Sequence, residues 1–404
     1  MKYYILFLLF ASTLTAQTIN IPDANFKKAL LDDYNVKDLH GSSLKIDANN
    51  DGKIQISEAE KVGSLELFEE NIKSLKGIEH FKNLMSLSCM RNDLTSLNIS
   101  KLVHLKELYC LGNKLTSLDV SNLKNLVILE CSYNNLKMLD VSKSESLLSL
   151  DCSGNKLTSL TLPNAGKLEY LDCAANDLTS LNVNKLTDVV DLNCAQNKLT
   201  QLDVGKLSNL IEFNCRSNKI TSLDFSNLVQ MVLIDCTFND LQSLKVSNLI
   251  NLESLICYTN QLRALDLSDL ESLRILKCGS NQIDKLDISN ALNLEILKCG
   301  RNKLTKLELS NKYLEQLECD ENQLTALDVS KCSYLRSIKI KRNPIVTLNL
   351  KNYDDSRFSS YANILYNLPD LKYVCTDASE IEKIKKELKE YNKDNVAVSE
   401  SCNF

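Results

Sequence analysis

Residues 105–125 read LKELYCLGNKLTSLDVSNLKN, and residues 126–146 repeat that pattern as LVILECSYNNLKMLDVSKSES. The most regular feature of the pattern is an asparagine that returns every 21 residues, with a single interval of 20. Thirteen asparagines hold this slot: Asn92, Asn113, Asn134, Asn155, Asn176, Asn197, Asn218, Asn239, Asn260, Asn281, Asn302, Asn322 and Asn343. A cysteine stands three residues before each of them except the last, where Ile340 takes its place. A fixed period of this length predicts a solenoid, in which one small unit stacks on copies of itself.

The apolar residues of each unit have fixed positions, written L-x-x-L-x-C-x-x-N-x-L-T-x-L-D-V-S-x-L-x-x. Around Leu108 and Cys110, apolar and polar residues alternate, which predicts a short strand with one buried side and one solvent-facing side. Because the copies are in register, each apolar slot should form a buried column. One column is predicted to contain Leu87, Leu108, Leu129, Leu150 and Leu171, and the cysteines should form a second.

The recurring asparagine has a predicted structural role. The chain must turn sharply after the strand, and this turn leaves backbone N–H and C=O groups without strand partners. An asparagine amide both donates and accepts hydrogen bonds, so it can satisfy these groups. Stacked asparagines are therefore predicted to bond to the backbone of adjacent turns and to form a polar ladder inside an apolar core.

The signature L-x-x-L-x-(L/C)-x-x-N-x-L resembles that of the leucine-rich repeat family, and the chain looks like a bacterial, internalin-like member over residues 62–350. The resemblance implies an α/β-type repeat solenoid, a right-handed horseshoe with a parallel β-sheet on its concave face and short turns on its convex side. It also implies a helical N-terminal cap and an α+β C-terminal cap. The function that the resemblance implies is recognition of another macromolecule on the concave face.

The sequence on either side of the repeats divides the chain further. Residues 1–16 contain Lys2, an apolar run over 3–14 and Ala16 at the cleavage point, which predicts a secretory signal peptide. Residues 17–61 are predicted to form the N-terminal cap, 62–350 the repeats and 351–404 the C-terminal cap. No second apolar run approaches the ~20 residues of a membrane span. We expect a protein that is secreted or held at the bacterial cell surface after cleavage near Ala16.

Fifteen cysteines in an exported protein would ordinarily indicate a disulfide framework. Twelve of them occupy the inward strand slot that other leucine-rich repeats fill with leucine, and Cys332 takes the place of a leucine further along its unit. They are predicted to be buried free thiols; the alternative is disulfides between neighbouring turns, whose parallel side chains fit the disulfide torsion poorly. Cys375 and Cys402 lie outside this ladder and bracket the C-terminal cap. They are predicted to form a disulfide, the alternative being two free cysteines.

A helix is predicted between Cys375 and Cys402. Asp377 and Glu380 suit a capping box at its start. Its apolar side is formed by Ile381, Ile384, Leu388 and Tyr391. Lys389 and Lys393 favour its C-terminal end. Residues 395–399 are expected to form a short strand.

One loop in the N-terminal cap carries a metal-binding pattern. It matches the EF-hand form D-x-[DN]-x-[DN]-G-x-I-x-x-x-E, in which oxygens surround a hard cation and a glycine with positive φ makes the turn. The predicted calcium ligands are the side chains of Asp47, Asn49, Asp51 and Glu58, the carbonyl of Lys53 and a water-bridged contact of Gln55. Flanking helices are predicted, one after Asp23 and one from Ser57 onward. The alternative is that the Asp, Asn and Gly residues are ordinary turn formers.

Charge indicates the class of partner. A net charge of −5 and a pI near 5.5 do not indicate the basic surface that nucleic-acid binding requires. The slot before each cysteine is acidic in the middle repeats and more basic toward the C-terminal end, and aromatic residues project from the same face or its rim. We predict that a monomer contacts an extracellular protein or glycan there. The predicted partner-binding residues are Tyr109, Glu130, Tyr133, Asp151, Tyr170, Asp172, Asp235, Phe238, Tyr258, Lys277, Lys298 and Arg301.

Two other functions stay open at this point. A hydrolase would use paired carboxylates such as Asp151 and Asp172 as acid and base, although repeat periodicity also explains their presence. A passive envelope or matrix component would bind no specific ligand. The sequence contains no nucleophile triad and no phosphate loop, and its cysteines are predicted to be buried and unreactive. We therefore predict a binding protein and not an enzyme.

Overall fold

The computed structural model describes residues 17–32, 34–164, 167–351 and 362–402. The predicted signal peptide at residues 1–16 lies outside the described residues, as does the segment 352–361 at the start of the C-terminal cap. The chain forms two compact units, Met1–Asn135 and Leu136–Phe404. Within each unit, successive repeats contribute short parallel strands to one sheet, so the predicted repeat solenoid is confirmed.

The first unit begins with a cap of two short helices and one strand. Helix α1 spans Ala24–Leu30, helix α2 spans Ile56–Ala59, and a 3-10 helix spans Ile78–His80. The strands are β1 (Val36–Asp38), β2 (Val62–Glu66), β3 (Ser86–Ser88), β4 (Glu107–Tyr109) and β5 (Ile128–Glu130). The Asp23 carboxylate begins α1 as predicted, because it accepts hydrogen bonds from the Asn25 and Phe26 amides.

Strands β2 to β5 are parallel and in register. Leu87 pairs with Leu108 and Leu108 with Leu129, so the predicted leucine column is confirmed in this unit. Strand β1 pairs antiparallel with β2 and covers its outer edge. The sequence pattern predicts no strand there, since Val36 is its single apolar residue and no alternating run surrounds it.

The second unit contains most of the repeats and the C-terminal cap. Its helices are α3 (Ala362–Leu365) and α4 (Ile381–Glu390), with a 3-10 helix over Ala378–Glu380. Its strands are β6 (Met138–Asp140), β7 (Ser149–Asp151), β8 (Ser159–Thr161), β9 (Tyr170–Asp172), β10 (Asp191–Asn193), β11 (Glu212–Asn214), β12 (Ser222–Asp224), β13 (Leu233–Asp235), β14 (Ser243–Lys245), β15 (Ser254–Ile256), β16 (Ile275–Lys277), β17 (Ile296–Lys298), β18 (Gln316–Glu318), β19 (Ala326–Asp328), β20 (Ser337–Lys339), β21 (Thr347–Asn349), β22 (Tyr373–Cys375) and β23 (Ala397–Ser399).

The main sheet of this unit is parallel, in the order β7, β9, β10, β11, β13, β15, β16, β17, β18 and β20. On the return side of the repeats, β6 pairs with β8 and β12 with β14. Strands β19, β21, β22 and β23 form a further parallel sheet that carries the repeats into the C-terminal cap.

The middle residue of each main-sheet strand points into the core. Leu150 pairs with Leu171 in the predicted column, and both side chains are buried. Phe213 fills the same slot two strands further on, and its ring meets the Phe225 ring with centroids 5.2 Å apart. Burying each such side chain stabilises the fold by about 1.5–3 kcal/mol.

The cysteines form the second predicted column. The twelve ladder cysteines and Cys332 are buried free thiols, which confirms the prediction over the alternative of ladder disulfides. Burial raises the pKa of the Cys89, Cys194 and Cys278 thiols to about 12. Because the reactive species is the thiolate, these side chains act as small apolar core residues.

The asparagine slot makes the predicted backbone ladder. In one repeat, Asn197 Nδ2 donates to the carbonyl oxygens of Cys173 and Cys194 at 3.0 and 3.1 Å, and its Oδ1 accepts from the Leu178 amide at 3.0 Å. Cys173 belongs to the preceding turn and Cys194 to the same turn. Each amide therefore ties two consecutive turns together.

The residue just before each ladder asparagine has a left-handed backbone, with φ between 51° and 68° in all thirteen repeats. Only Gly112 and Gly154 are glycines; the other positions are Arg91, Tyr133, Ala175, Gln196, Ser217, Phe238, Thr259, Ser280, Arg301, Glu321 and Arg342. A side chain in this conformation costs roughly 1–2 kcal/mol. The sequence does not predict this feature, since the residue types at the slot follow no pattern.

The C-terminal cap contains the predicted helix and strand as α4 and β23. The predicted capping box is wrong, because a 3-10 turn precedes α4 and neither Asp377 nor Glu380 makes a side-chain capping bond. Lys393 lies beyond the helix, and its ammonium donates to the carbonyls of Leu365 and Leu368 at 2.7 and 2.8 Å. Burial lowers the pKa of Lys393.

Cys375 and Cys402 are joined by a disulfide, with their Cα atoms 5.5 Å apart. Cys375 ends β22, and Cys402 follows β23, which pairs with β22. The bond thus closes the cap around α4. Among the helices in the described ranges, none has the length and apolar surface that crossing a bilayer requires.

Replacing Asn197 by Leu should destabilise the fold by about 1–3 kcal/mol, measured by denaturant unfolding. The carbonyls of Cys173 and Cys194 each keep a second amide donor, from the neighbouring ladder asparagines Asn176 and Asn218. The main loss is the acceptor of the buried Leu178 amide. Asn209→Leu, at an exposed turn position, is the matched control and should leave stability nearly unchanged. Equal unfolding midpoints for the two variants would contradict the ladder's role.

Breaking the C-terminal disulfide with Cys402→Ser should destabilise the cap by about 3 kcal/mol, because the unfolded segment gains loop entropy. Hydrogen exchange in α4 and β23 measures this loss, and reduced wild type should match the variant. Alkylation of the denatured, unreduced protein should label the thirteen free cysteines only. Labelling of all fifteen cysteines would show that the bond is absent from the protein in solution.

Candidate binding face and candidate calcium loop

The first and third residues of the main-sheet strands point away from the core, and most of them are half-buried or exposed. We call the surface that these residues form within one unit its strand face. It is the surface for which the sequence pattern predicts partner binding. Parallel pairing in register places the same slot of neighbouring repeats side by side, about 4.8 Å apart.

In the first unit, Tyr109 and Glu130 are the third residues of β4 and β5. They lie side by side on neighbouring strands, on the same side of the sheet. Burial, followed by the charges of Glu107 and Glu130, raises the pKa of Tyr109. Tyr133 lies in the turn after β5 in the left-handed conformation, and 68% of its surface is exposed. It therefore projects from the rim and not from the strand itself.

In the second unit, Asp151, Asp172 and Asp235 are the third residues of β7, β9 and β13. Asp191 and Glu212, which were not among the predicted residues, are the first residues of β10 and β11 and face the same side. The alternation of a three-residue strand is the signal that would have found them. A depression of about 330 Å³ lies among these strands; Asp151, Asp172, Asp191 and Glu212 line it, and Asp235 stands one strand beyond.

The carboxylates that line this depression lie close to one another, so their negative charges repel. Burial raises the pKa of Asp172, and the Asp151 charge adds to the effect, although the Ala174 amide and the Asn193 side chain donate to its carboxylate at 2.8 and 2.9 Å. Burial, then the charges of Glu212 and Asp172, raise the pKa of Asp191. Adjacent parallel strands thus hold carboxylates that destabilise one another.

Three predicted aromatic residues border the acidic segment. Tyr170 is the first residue of β9 and is 50% exposed; Phe238 is 45% exposed in the left-handed turn position. The Arg216 guanidinium carbon lies 5.3 Å from the Phe238 ring centre. Tyr258 lies against Gly279, where an added Cβ would come within 2.6 Å of the ring. The glycine therefore makes the room that the Tyr258 ring occupies.

The predicted basic end is largely paired within the chain. Lys298 Nζ lies 3.1 Å from the Glu318 carboxylate, and Lys339 Nζ lies 2.8 Å from it. Burial opposes the shift, but these two ammonium groups hold the pKa of Glu318 below its ordinary value. Arg301 bonds to Glu321 in the same way, at 3.3 Å. Lys277 is the third residue of β16, next to this group.

The candidate calcium loop has the expected bend. Gly52 adopts φ 72°, as the pattern requires of its glycine. The Asp47 carboxylate accepts from the Asp51 and Gly52 amides at 3.1 and 2.8 Å. The Glu58 carboxylate accepts from the amides of Ala48 and Gln55, both at 2.9 Å. Both acids are buried, so the first and last ligand positions already face into the loop.

Of the other predicted ligands, Asn49, Asp51 and Lys53 are exposed, whereas Gln55 is buried. The Asp51 carboxylate accepts from the side-chain amides of Asn49 and Gln55 at 3.2 and 3.0 Å and from the Lys53 amide at 2.8 Å. All these oxygens suit a hard cation such as calcium. Their present partners are protein N–H groups, and no three Asp, Glu, His or Cys side chains of the described residues are grouped around one metal position.

The elements around the loop differ from the predicted helix–loop–helix. Helix α2 provides a single turn after the loop, but the preceding helix α1 ends at Leu30, and β1 intervenes. Both predicted helices are therefore present, but β1, which pairs with β2, separates α1 from the loop. Residues 17–19 lie beside the loop, since the Ile19 amide donates to the Ile54 carbonyl at 2.8 Å and the Ile56 amide to the Gln17 carbonyl at 3.0 Å.

Solved structures share this architecture. The functional domain of InlJ from Listeria monocytogenes, described as including a cysteine ladder, is 28% identical with a TM-score of 0.66 over 83% of this chain and 82% of that chain. A leucine-rich repeat protein from Leptospira interrogans is 25% identical with a TM-score of 0.61, over 85% of this chain and 97% of that chain. The internalin InlF from Listeria monocytogenes shares the fold at 20% identity, with a TM-score of 0.60 over 97% of this chain and 100% of that chain.

No protein-family model and no curated protein sequence matches the chain. The solved structures that it resembles are leucine-rich repeat proteins and not enzymes. Their likeness agrees with the stacked units, the buried cysteines and the asparagine ladder described above. The chain is therefore a leucine-rich repeat solenoid similar to the bacterial internalins, built from 21-residue units with a cysteine ladder.

Proposed function

We propose that this chain is an exported binding protein that recognises a protein or glycan through the strand face of its second unit. The observation that carries the proposal is the acidic depression on the parallel sheet, with Tyr170 in its lining and the exposed Phe238 ring in the turn after β13. Exposed aromatic rings beside charged groups are typical of macromolecular contact surfaces. Export rests on the predicted signal peptide.

The size of this surface favours a macromolecule over a metabolite. The strands from β7 to β13 in the main sheet are separated by four intervals, which place Asp151 and Asp235 about 19 Å apart along the stack. The backbone that carries the side chains between them is held by strand pairing and by the buried middle residues. A partner therefore meets a preorganised surface, which lowers the entropy cost of binding.

The test is charge reversal at Asp151→Lys, Asp172→Lys and Asp235→Lys in one variant, followed by pull-down from host and neighbouring-cell extracts and by glycan-array binding. We expect loss of the partner that wild type retains, because the reversal replaces half-buried carboxylates with long cations. The matched control reverses three exposed aspartates of the return side, Asp203, Asp266 and Asp287, with the same change in net charge.

Undiminished binding by the first variant would contradict the role of the strand face. Failure of wild type to retain any partner would instead favour a passive envelope or matrix component. Turnover of a glycan by wild type that is lost in the triple-reversal variant would favour a hydrolase. The control variant shows whether any loss reflects the face or merely the protein's total charge.

A second proposal concerns the N-terminal cap. We propose that Asp47, Asn49, Asp51 and Glu58 hold a calcium ion through their side chains, with the Lys53 carbonyl and a water-bridged Gln55. The bend at Gly52 and the all-oxygen donor set support it. The ion would offset two of the three negative charges of the loop carboxylates and tie the loop to the strand and helix that surround it.

Calcium titration by calorimetry should give a Kd of about 10⁻⁴–10⁻³ M, the range of extracellular modules. At ten times its Kd, calcium should stabilise the cap by about 1.4 kcal/mol in a thermal-shift assay. Glu58→Gln should abolish both signals. Glu60→Gln, outside the twelve-residue loop, is the matched control. Absence of heat and of thermal shift in wild type would leave the loop as an ordinary turn.

A further inference from the structure

We infer that the partner of the strand face in the second unit is an extended, Arg- or Lys-rich protein segment, which lies across β7 to β13 with its cations on the carboxylates and the bordering aromatic rings. The inference rests on the proposed function and names the chemistry of its partner. It selects a cationic protein over a glycan.

The first support is a set of carboxylates without cations. The outward positions of β7, β9, β10, β11 and β13 contain five acids and no lysine or arginine. In the part of the chain that the structure describes, none of the five is in a salt bridge. The acids are Asp151, Asp172, Asp191, Glu212 and Asp235.

Elsewhere in the second unit, several charged residues pair with an opposite charge on the neighbouring turn. Lys245 bonds to Asp224 at 2.9 Å, one repeat apart on the return side. Arg274 bonds to Glu295 at 2.9 Å, and Glu318 is shared by two lysines. The register makes such pairing simple, since one basic residue in the same slot of the next repeat is enough. Only some slots are paired in this way, and the acidic residues of β7 to β13 are not.

Leaving these acids unpaired has a physical cost. Like charges directly opposite each other on neighbouring strands destabilise a sheet. Burial of Asp172 and Asp191 adds to that cost by removing water from their carboxylates, as the raised pKa of each shows. At the end of the segment, the Asp235 carboxylate accepts from the Thr237 amide at 2.9 Å, and the buried Thr237 hydroxyl has no hydrogen-bond partner in the described residues. A bound cation would offset the repulsion.

The second support is the aromatic border. The Arg216 guanidinium already lies over the Phe238 ring, so an aromatic ring at this face contacts a cation within the chain itself. The Tyr258 ring has its position because Gly279 leaves the space free. Tyr170 stands at the opposite end with half of its surface exposed. Rings beside carboxylates are the surroundings that arginine prefers, because its planar cation stacks and hydrogen-bonds together.

The spacing of the acids fits an extended segment. About 19 Å separates the outermost carboxylates, and an extended chain rises about 3.4 Å per residue. Roughly six residues therefore span the segment, and alternate side chains on one side repeat every ~6.8 Å. Three cations on alternate residues would each lie near one or two carboxylates. A neutral glycan offers no such complement to the charge.

Fluorescence anisotropy with a labelled (Arg-Gly)4 peptide tests the inference on the full mature chain. We expect wild type to bind it, with affinity that falls as salt rises, and to bind (Glu-Gly)4 and (Gln-Gly)4 at least tenfold more weakly. The variant Asp172→Asn, Asp191→Asn and Glu212→Gln should lose at least tenfold in affinity. Amide replacements keep the size of each side chain and the hydrogen bond to the Ala174 amide.

The control variant is Asp203→Asn, Asp266→Asn and Asp287→Asn, which makes the same change in net charge on the return side. Each of these aspartates accepts from an amide two residues on, a bond that asparagine also makes. The control should bind (Arg-Gly)4 as wild type does. Tyr258→Ala should weaken binding several-fold, whereas Tyr258→Phe should not, since a ring face is what stacks on a cation.

Equal binding of the arginine peptide to wild type, the amide variant and the control, or no binding at all, would overturn the inference. The proposed function is judged separately by the lysine-reversal pull-down. A partner lost on reversal but kept by the amide variant would leave the binding face in place and exclude a cationic ligand. A glycan retained equally by wild type and the amide variant would exclude a cationic ligand as well.

Discussion

The asparagine ladder is the interaction on which the rest of the structure depends. Asn113, for example, donates to the carbonyls of Cys89 and Cys110 and accepts from the Leu94 amide. Each such side chain fixes one turn against the turn before it, at one separation and in one register. Apolar packing alone tolerates rearrangement as long as volume and pattern are kept. Buried hydrogen bonds do not tolerate such rearrangement, because a shift of the register by one residue would leave backbone N–H and C=O groups unpaired.

A fixed register converts every slot into a column, so the chemistry of one residue type is multiplied along a unit. Cysteine in the inward slot gives a column of small apolar groups, and burial keeps the thiols protonated. Aspartate in an outward slot gives a row of like charges. The position before each ladder asparagine behaves differently. Its backbone is left-handed in all thirteen repeats, although the residue type varies from repeat to repeat.

The columns and the ladder were predictable because they depend on spacing, which the sequence displays directly. The features that were missed depend on local geometry. Strand β1 forms because it can pair with the free edge of β2, and no residue pattern in 36–38 predicts a strand. Asp191 and Glu212 escaped prediction because the acidic pattern is clearest in the slot next to each cysteine, although a three-residue strand exposes both ends. The pairing of Lys298 with Glu318 required knowledge of which neighbours come within 3.1 Å.

The pairing of outward charges distinguishes slots that stabilise the repeats from slots that are available to a partner. A solenoid places identical slots side by side, so selection for stability alone would fill neighbouring outward slots with opposite charges or with neutral residues. Lys245 beside Asp224 and Lys339 beside Glu318 follow that rule. The row from Asp151 to Asp235 does not, and its members are partly buried as well, which raises the cost of each charge. Proteins commonly retain such local conflicts at functional sites, where the stabilising interaction comes from a partner and not from the chain itself.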